Sequence, residues 1–388
     1  MKLRVPFQLS SLDEQSVREM NETLQRNSFY TGPTTSSLQS RLSELLRLDS
    51  VTTTGSEGSA LRLLIEAFDL ERGSEIIASP LAVASTLSTI VSCEAVPLLA
   101  DVDRTTGLLT RNTVEAALTP RTRCVLVPAL SGRRAELRGL RQLTSERGIR
   151  LVEDVSDAFV SSAPDTVSSS ASSHPAQGVL ADAVVMDFRD PGLILGAGAG
   201  AVGTSCPVLS ARLRVLVGSG LVDRSFRDQR KIASPHDLSE ITLNCGLDDL
   251  RAALILSQIN RLEHSYPERC SLASTYEDRL GDARGIRLPA PAVEGARSHP
   301  HYPVRVDRGV RRLFQKSLSE AGVATAVINP CVTRFTYFAE YFRDLDLPNA
   351  CEYGDTVLAL PLYPGLAADA QDHVIESLLG ALRKFGRR

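Results

Sequence analysis

Short apolar runs alternate with amphipathic stretches through residues 75–186, and this alternation constrains the fold more than any other feature. Segments such as 136–147, between the runs, have apolar residues at helical spacing. Strands that alternate with helices are typical of a mostly parallel sheet covered by helices on both faces. The sequence therefore predicts an α/β fold. The expected strands cover residues 75–79, 95–100, 124–128, 150–153 and 183–186.

Helical patterns flank this alternating region on both sides. Residues 11–48 have a helical pattern that breaks at 30–33, where glycine and proline follow each other. Residues 246–283 predict one long helix interrupted near Pro267, since proline removes a backbone donor. A last helix is expected at 367–385.

The chain of 388 residues is long enough for two domains. We expect a large domain over residues 1–250. Residues 251–388 would then supply an interdomain helix and a smaller C-terminal α/β domain. A stretch rich in serine, alanine and proline, 161–177, predicts a surface loop.

Composition and charge exclude several classes of protein. The net charge of −3 gives no basic footprint for nucleic acid. No apolar run has the length of a membrane span, and the first residues lack the apolar core of a signal peptide. None of the seven cysteines forms a C-x-x-C pair, which argues against a structural zinc or iron–sulfur site and favours a reduced, cytoplasmic setting.

A series of short motifs runs in order along most of the chain. They are Tyr30–Pro33, Ala95–Pro97, Asp101–Asp103, Leu118–Arg123, Glu153–Asp154, Asp182–Thr204, Asn244, Leu250–Ala253, His301–Arg305 and Leu360–Pro364. In this order they resemble the motifs of the DegT/StrS-type sugar aminotransferases. That resemblance implies a fold-type I three-layer sandwich, pyridoxal phosphate (PLP) chemistry on a sugar, and a dimer whose active sites straddle the interface.

The cofactor lysine of that family is the main departure from the pattern. Anchored on Asp182, Phe188 and Thr204, the lysine column of the motif falls on Gly192. A Schiff base needs a primary amine, which glycine lacks. None of the chain's four lysines, at positions 2, 231, 316 and 384, lies in this segment.

Other cofactor contacts of the family pattern are also replaced. Glu57 stands in the phosphate-binding turn, and Asp187 replaces a phosphate-binding serine. Val83 replaces the aromatic residue that stacks on the pyridine ring, and Asp157 replaces an amide or imidazole. Asp154, which pairs with the ring nitrogen in the family, is retained. We therefore expect a site that uses no PLP, with a divalent metal as the alternative.

Four acids map to this cavity in the resemblance: Glu57, Asp154, Asp157 and Asp187. Packed like charges shift one another's pKa, which can poise a general acid and base near neutrality. The cluster could instead hold a divalent cation. A third alternative is that Arg189 neutralises the acids and nothing binds.

His301 is the candidate for a catalytic group that titrates near neutral pH. Candidate substrate-binding residues follow from the family's substrate motifs and from the cavity. These candidates are Tyr30, Thr31, Tyr302, Asn244 and Arg189.

Three functions remain open at this point. The first is a PLP-independent enzyme of natural-product or sugar biosynthesis, using the carboxylate-lined pocket for acid/base chemistry on a small molecule such as a nucleotide sugar. The second is a non-catalytic paralogue that partners an active enzyme. The third is a PLP- or pyridoxamine-phosphate-dependent sugar aminotransferase or dehydratase. We expect a homodimer, with a heterodimer with a paralogue as the alternative.

Overall fold

The computed structural model describes residues 4–9, 12–26, 32–159, 180–218, 240–290 and 298–386. The expected loop at 161–177 and the candidate residues Tyr30 and Thr31 lie outside these ranges. Within them, no helix is both long and apolar enough to cross a membrane.

A seven-stranded sheet forms the centre of the larger part of the molecule. Its strand order is β1-β7-β6-β5-β4-β2-β3. Strands β2 to β6 pair in parallel, whereas β7 runs antiparallel to both β1 and β6. The α/β prediction with a mostly parallel sheet is confirmed. The strands are β1 (Ser50–Thr54), β2 (Glu75–Ala78), β3 (Val96–Leu99), β4 (Thr122–Pro128), β5 (Arg150–Asp154), β6 (Ala183–Phe188) and β7 (Ala199–Thr204).

Helices cover both faces of this sheet and enclose its core. Strands β2, β6 and β7 are buried along their whole length, which explains their unbroken apolar or glycine-rich sequences. The helices up to this point are α1 (Glu14–Gln25), α2 (Pro33–Leu46), α3 (Glu57–Ala67), α4 (Ala84–Ser92), α5 (Arg111–Ala117), α6 (Leu137–Ser145) and α7 (Pro207–Val217).

A three-stranded antiparallel sheet, ordered β10-β9-β8, lies in the C-terminal part. Tyr276 and Tyr302 stack at its core with ring centroids 4.8 Å apart. The elements of this part are α8 (Asp249–Leu280), β8 (Ile286–Arg287), β9 (Tyr302–Val306), α9 (Arg311–Glu320), α10 (Thr336–Tyr341), α11 (Pro348–Thr356), β10 (Val357–Leu360) and α12 (Ala368–Phe385).

Helix α8 continues through Pro267, so the expected interruption is wrong. Its first half packs Ala252 and Ile255 into the core beside α2, and its second half packs Leu272 and Tyr276 into the small-sheet core. Burial at both ends offsets the one backbone hydrogen bond that proline removes.

The start of α8 also fixes the start of α2. The Asp249 carboxylate accepts hydrogen bonds from the N–H groups of Gly32 and Thr35, each at 2.9 Å. A Cβ at position 32 would lie 2.4 Å from an Asp249 carboxylate oxygen, so this approach requires glycine. The glycine of the Tyr30–Pro33 motif therefore has a structural role at this contact.

Candidate functional site

The carboxyl ends of β5 and β6 bring two acids to one edge of the sheet. Asp154 ends β5 and Asp187 lies near the end of β6. Ser156 links them: its N–H donates to Asp154 at 2.9 Å, and its hydroxyl oxygen accepts the N–H of Asp187 at 2.8 Å. Ligands of open α/β sheets bind at this edge, outside the carboxyl ends of the strands.

Glu57 reaches the same edge from the first turn of α3. Gly200, paired with Asp187 across the sheet, allows this approach, because a Cβ there would lie 2.7 Å from the Glu57 backbone. The Glu57 carboxylate accepts a hydrogen bond from the Thr86 hydroxyl at 3.1 Å and is 6% exposed. A negative group is favoured near a helix N-terminus.

Arg189 binds two of the acids. Its guanidinium group lies 2.9 Å from Asp157 and 3.3 Å from Asp187. Burial alone would lower the pKa of Arg189, but Asp157, Asp154 and Asp187 raise it above its ordinary value. The guanidinium group is therefore charged and offsets part of the negative charge, as the neutralisation alternative expects.

Burial is the main cause that moves the pKa of three of these carboxyl groups upward, and neighbouring acids add to it. Burial first, then Asp154 and Asp187, raise the pKa of Glu57 to about 7. Burial raises the pKa of Asp187 to about 6 although Arg189 opposes the shift. Burial also raises the pKa of Asp154. Two acids therefore exchange protons near neutral pH, which is the electrostatic requirement for acid/base work.

His301 forms a second polar contact in the cleft. Its Nε2 atom lies 2.9 Å from the Ser131 hydroxyl, and the Ser131 N–H donates to Asp157 at 3.2 Å. Burial lowers the pKa of His301 to about 4, so the imidazole is neutral at pH 7. The expectation that His301 titrates near neutral pH is therefore wrong, because burial disfavours the charged ring.

A cavity of about 370 Å³ opens beside these groups, a size that suits a small molecule. Its walls include apolar side chains, the guanidinium group of Arg189 and the ring of His301. Residues from both parts of the molecule line it, among them Val83, Asp157, Arg189, Gly192, His301 and Asn329.

Gly192 lies in the cavity wall in a turn without room for a side chain. A Cβ at this position would lie 2.5 Å from the carbonyl oxygen of Arg189. The side-chain amide of Gln8 holds the turn from the other side, donating to the Gly192 carbonyl at 2.6 Å and accepting its N–H at 3.2 Å. Any larger residue here would require the backbone to shift.

Two of the candidate substrate residues lie away from this cavity. Tyr302 is fully buried in the small-sheet core against Tyr276, so its selection as a substrate contact is wrong. Asn244 is exposed and does not line the cavity. The candidate substrate residue Arg189 and the catalytic candidates Asp157 and His301 do line it.

The structure offers no metal centre among the residues it describes, because no three histidine, cysteine or acidic side chains there are grouped to hold an ion. The acids instead make hydrogen bonds to Ser156 and Thr86 and ion pairs to Arg189. This distribution does not support the divalent-metal alternative.

The chain belongs to the DegT/DnrJ/EryC1/StrS aminotransferase family, whose sequence profile matches residues 10–379. The spore coat polysaccharide biosynthesis protein SpsC of Bacillus subtilis (strain 168) is 26% identical over 383 residues, with 96% of each chain covered. This family assignment confirms the resemblance seen in the sequence motifs.

Solved structures share the fold. The aminotransferase TlmJ from Streptoalloteichus hindustanus superimposes with a TM-score of 0.87 at 23% identity, covering 99% of this chain and 100% of that one. The putative sugar aminotransferase Spr1654 from Streptococcus pneumoniae is similar in its pyridoxamine-phosphate (PMP) form, with a TM-score of 0.87, and in its PLP form, with 0.86. Both forms are 21% identical over 98% of this chain, and the match covers 100% and 99% of those chains.

These structures contradict the expectation that PLP plays no part in such a site. The Spr1654 fold, which this chain shares nearly end to end, was solved in PLP and PMP forms. The expectation relied on single residue replacements, whereas the similarity extends over nearly the whole chain. It is withdrawn.

Sequence reasoning missed three residues that build the site. Ser131 connects Asp157 to His301, Ser156 connects Asp154 to Asp187, and Gln8 holds the turn at Gly192. Serine and glutamine are common in loops and gave no pattern to follow. Only the position of Ser156, two residues after Asp154, could have indicated a local hydrogen bond.

Proposed function

We propose that this chain is an enzyme of sugar or secondary-metabolite biosynthesis that acts on a sugar in the cleft beside Asp157 and Arg189, with PLP or PMP as its cofactor. The family match over residues 10–379 carries the proposal. A relative named for polysaccharide biosynthesis and a neighbour solved in PLP and PMP forms support it.

The residues of the cleft fit this cofactor only in part. Asp154 is a partly buried acid at the strand end where the family pattern pairs an acid with the pyridine nitrogen. Glu57 and Asp187 place carboxyl groups where the pattern binds phosphate, and Gly192 offers no amine. The phosphate and Schiff-base contacts therefore do not fit, and we assign no step to the cofactor.

PMP matches the cleft better than PLP does. It carries its own amino group, so its binding does not require a lysine at position 192. Carboxyl groups whose pKa lies near 6 to 7, as for Asp187 and Glu57, can also be protonated and donate a hydrogen bond to an anion. Both features make the amine form the first ligand to test.

The chain's own side chains supply proton transfer in this proposal. Arg189 holds Asp157 at the cavity wall and Asp187 behind it. The pKa of Asp187 is raised to about 6 and that of Glu57 to about 7, so we assign the acid and base roles to these two carboxyl groups. The neutral ring of His301 offers a nitrogen to a substrate hydroxyl.

Equilibrium dialysis with PMP and with PLP tests the cofactor half. We expect Asp154→Asn to weaken PMP binding by about 10- to 100-fold, the value of a hydrogen bond to a charged group. Asp182→Asn is the matched control, because Asp182 lies at the opposite edge of the sheet and pairs with Arg141. If neither PMP nor PLP bound the unaltered chain, the proposal that one of them is the cofactor would be contradicted.

A panel of nucleotide sugars, incubated with the protein, PMP or PLP and an amino donor, tests the sugar half by mass spectrometry. We expect a changed sugar whose formation falls in Asp187→Asn and persists in Asp182→Asn. If the cofactor bound but no nucleotide sugar in the panel changed, the proposed action on a sugar would be contradicted, while cofactor binding would stand.

The proposal also covers the oligomeric state and the division of the chain into domains. We propose a homodimer, supported by the family's habit of forming sites across an interface, and a domain division near residue 250. Light scattering should give twice the 41.9 kDa of one chain. A mass of one chain in this measurement would contradict the homodimer.

A further inference from the structure

Two cysteines outside the acidic cluster lie side by side. The sulfur atoms of Cys331 and Cys351 are 3.6 Å apart. The Thr333 hydroxyl lies 3.2 Å from the first sulfur and 3.7 Å from the second. Cys331 is 1% exposed, whereas Cys351 is partly exposed.

The backbone around both cysteines is fixed, so their proximity is built into the fold. Next to Cys331, the Val332 N–H donates to the Pro80 carbonyl at 2.8 Å. Next to Cys351, the Ala350 N–H donates to Asp101 at 2.8 Å. A disulfide has sulfurs about 2.05 Å apart, so the two sulfur atoms must approach by about 1.5 Å to form one.

We propose that Cys331 and Cys351 are a redox modification site that a hydroperoxide converts to an intramolecular disulfide. The proposal is independent of the proposed function, because neither cysteine lies among the acids of the cleft. In a reduced cytoplasm such a disulfide would be transient.

The chemistry balances with hydrogen peroxide as the oxidant. The Cys351 sulfur attacks one peroxide oxygen, the O–O bond breaks, and a sulfenic acid and water form. The Cys331 sulfur then attacks the Cys351 sulfur, the S–O bond breaks, and the leaving hydroxide takes a proton to become a second water. The two sulfurs lose two electrons and the peroxide gains them.

The order of attack follows from exposure. Burial raises the pKa of the Cys331 thiol to about 11, which disfavours its thiolate. Cys351 is the more exposed of the two and therefore meets the oxidant first.

The disulfide would restrain one wall of the cleft. Residues 326–330 and Phe335 line the cavity, and Cys331 lies between them in the chain. Linking Cys331 to α11 would tie this wall to a helix packed in the core of the large sheet. Oxidation should therefore slow amide hydrogen exchange in segment 326–335.

The experiment treats the reduced full-length protein with hydrogen peroxide and maps its tryptic peptides. Trypsin cleaves after Arg334 and Arg343, so the two cysteines fall on different peptides. We expect these peptides to be joined, two of the seven thiols to be lost, and dithiothreitol to restore both. Hydrogen exchange of segment 326–335 is measured before and after oxidation.

The variants separate this pair from general oxidation. Cys351→Ser should lose the joined peptides, and Cys206→Ser, at the exposed Cys206, should keep them. Because Cys351→Ser could misfold, Cys351→Ala is a second variant, checked by circular dichroism. Oxidation of Cys206 without joined peptides, or Cys351 joined to another cysteine, would overturn the modification site. Joined peptides with unchanged exchange would overturn the restraint on the cleft wall.

Discussion

At the amino edge of the seven-stranded sheet, acids meet arginines that still reach solvent. Glu75 pairs with Arg121 at 2.6 Å, and Asp182 pairs with Arg141 at 3.0 Å. The side chain of Arg121 is 75% exposed. Water screens the pair of Arg141 and Asp182, which therefore adds little to stability. Arg121 supplies a direct counter-charge to the buried Glu75.

At the carboxyl edge of the same sheet, four acids lie together with one partly buried arginine. Asp154, Asp157 and Asp187 interact with Arg189, and Glu57 interacts with Asp154 and Asp187. The pKa of Glu57, Asp154 and Asp187 is raised. The same sheet therefore has an amino edge with balanced charge and a carboxyl edge with excess negative charge. Ionised carboxylates at the carboxyl edge destabilise the fold. Because of the same burial, the pKa of Glu57 and that of Asp187 lie near neutral pH, at about 7 and about 6.

Of the substitutions proposed, removal of Arg189 should change the free energy of unfolding most. Arg189→Met leaves buried carboxylates without a counter-charge, which costs about 3–5 kcal/mol of unfolding free energy. The loss should be smaller at pH 5 than at pH 8, because Asp187 and Glu57 protonate below about 6 and 7. Denaturant unfolding at both pH values measures it.

Arg141→Met is the matched control at the amino edge, where we expect a loss of at most about 1 kcal/mol. Equal losses for the two variants would show that the edges do not differ in the way described.

Glu57→Gln should give the next largest effect, with the opposite sign. The pKa of Glu57 rises from 4.5 to about 7 on folding, so its ionisation destabilises the fold increasingly from pH 4.5 to pH 7. A neutral glutamine keeps an oxygen for Thr86 and avoids that cost. We expect a gain on the order of 2–3 kcal/mol at pH 8 and little change at pH 4.5, measured by urea unfolding.

Glu75→Gln is the control for Glu57→Gln, because Glu75 is as buried as Glu57 but has Arg121 as a direct partner. We expect this variant to gain no stability at pH 8. A gain of the same size at both positions would mean that burial alone, and not the shared charge, sets the Glu57 effect.

Ser131→Ala should have the smallest effect of the three. It leaves the His301 nitrogen without its hydroxyl partner, which costs about 1–2 kcal/mol. Ser145→Ala, at an exposed serine that bonds to carbonyls of its own helix, should change stability by at most about 0.5 kcal/mol. Thermal unfolding at pH 7 compares the two, and a cost no larger than that of the control would indicate that the contact with His301 adds nothing.

The strands with strong apolar patterns were predictable from the sequence, whereas strand β7 was not. Strands β2 to β6 appear at the apolar runs that the sequence offers. Strand β7, Ala199–Thr204, contains glycines at 200 and 203 that weaken any strand pattern. Those glycines are explained only by neighbours distant in sequence, since Gly200 makes room for α3 and Gly203 for Leu48.

The acids of the site were predictable only through the family motifs. Glu57, Asp154, Asp157 and Asp187 do converge at one edge. Their pairing with Arg189, the neutrality of His301 and the burial of Tyr302 depend on how strands and loops pack, which local sequence does not encode. Pro267 likewise misled the sequence prediction, because tertiary packing outweighs a single helix-breaking residue.

Helix α8, with 32 residues in one continuous run, extends for about 48 Å. Its two ends are anchored in different hydrophobic cores, so it acts as a rigid lever between them. A tilt of the three-stranded sheet would carry this lever with it and pull on Asp249, which holds the start of α2. Such a tilt would reach Gly32, which is bonded to Asp249 although it lies 217 positions earlier in the chain.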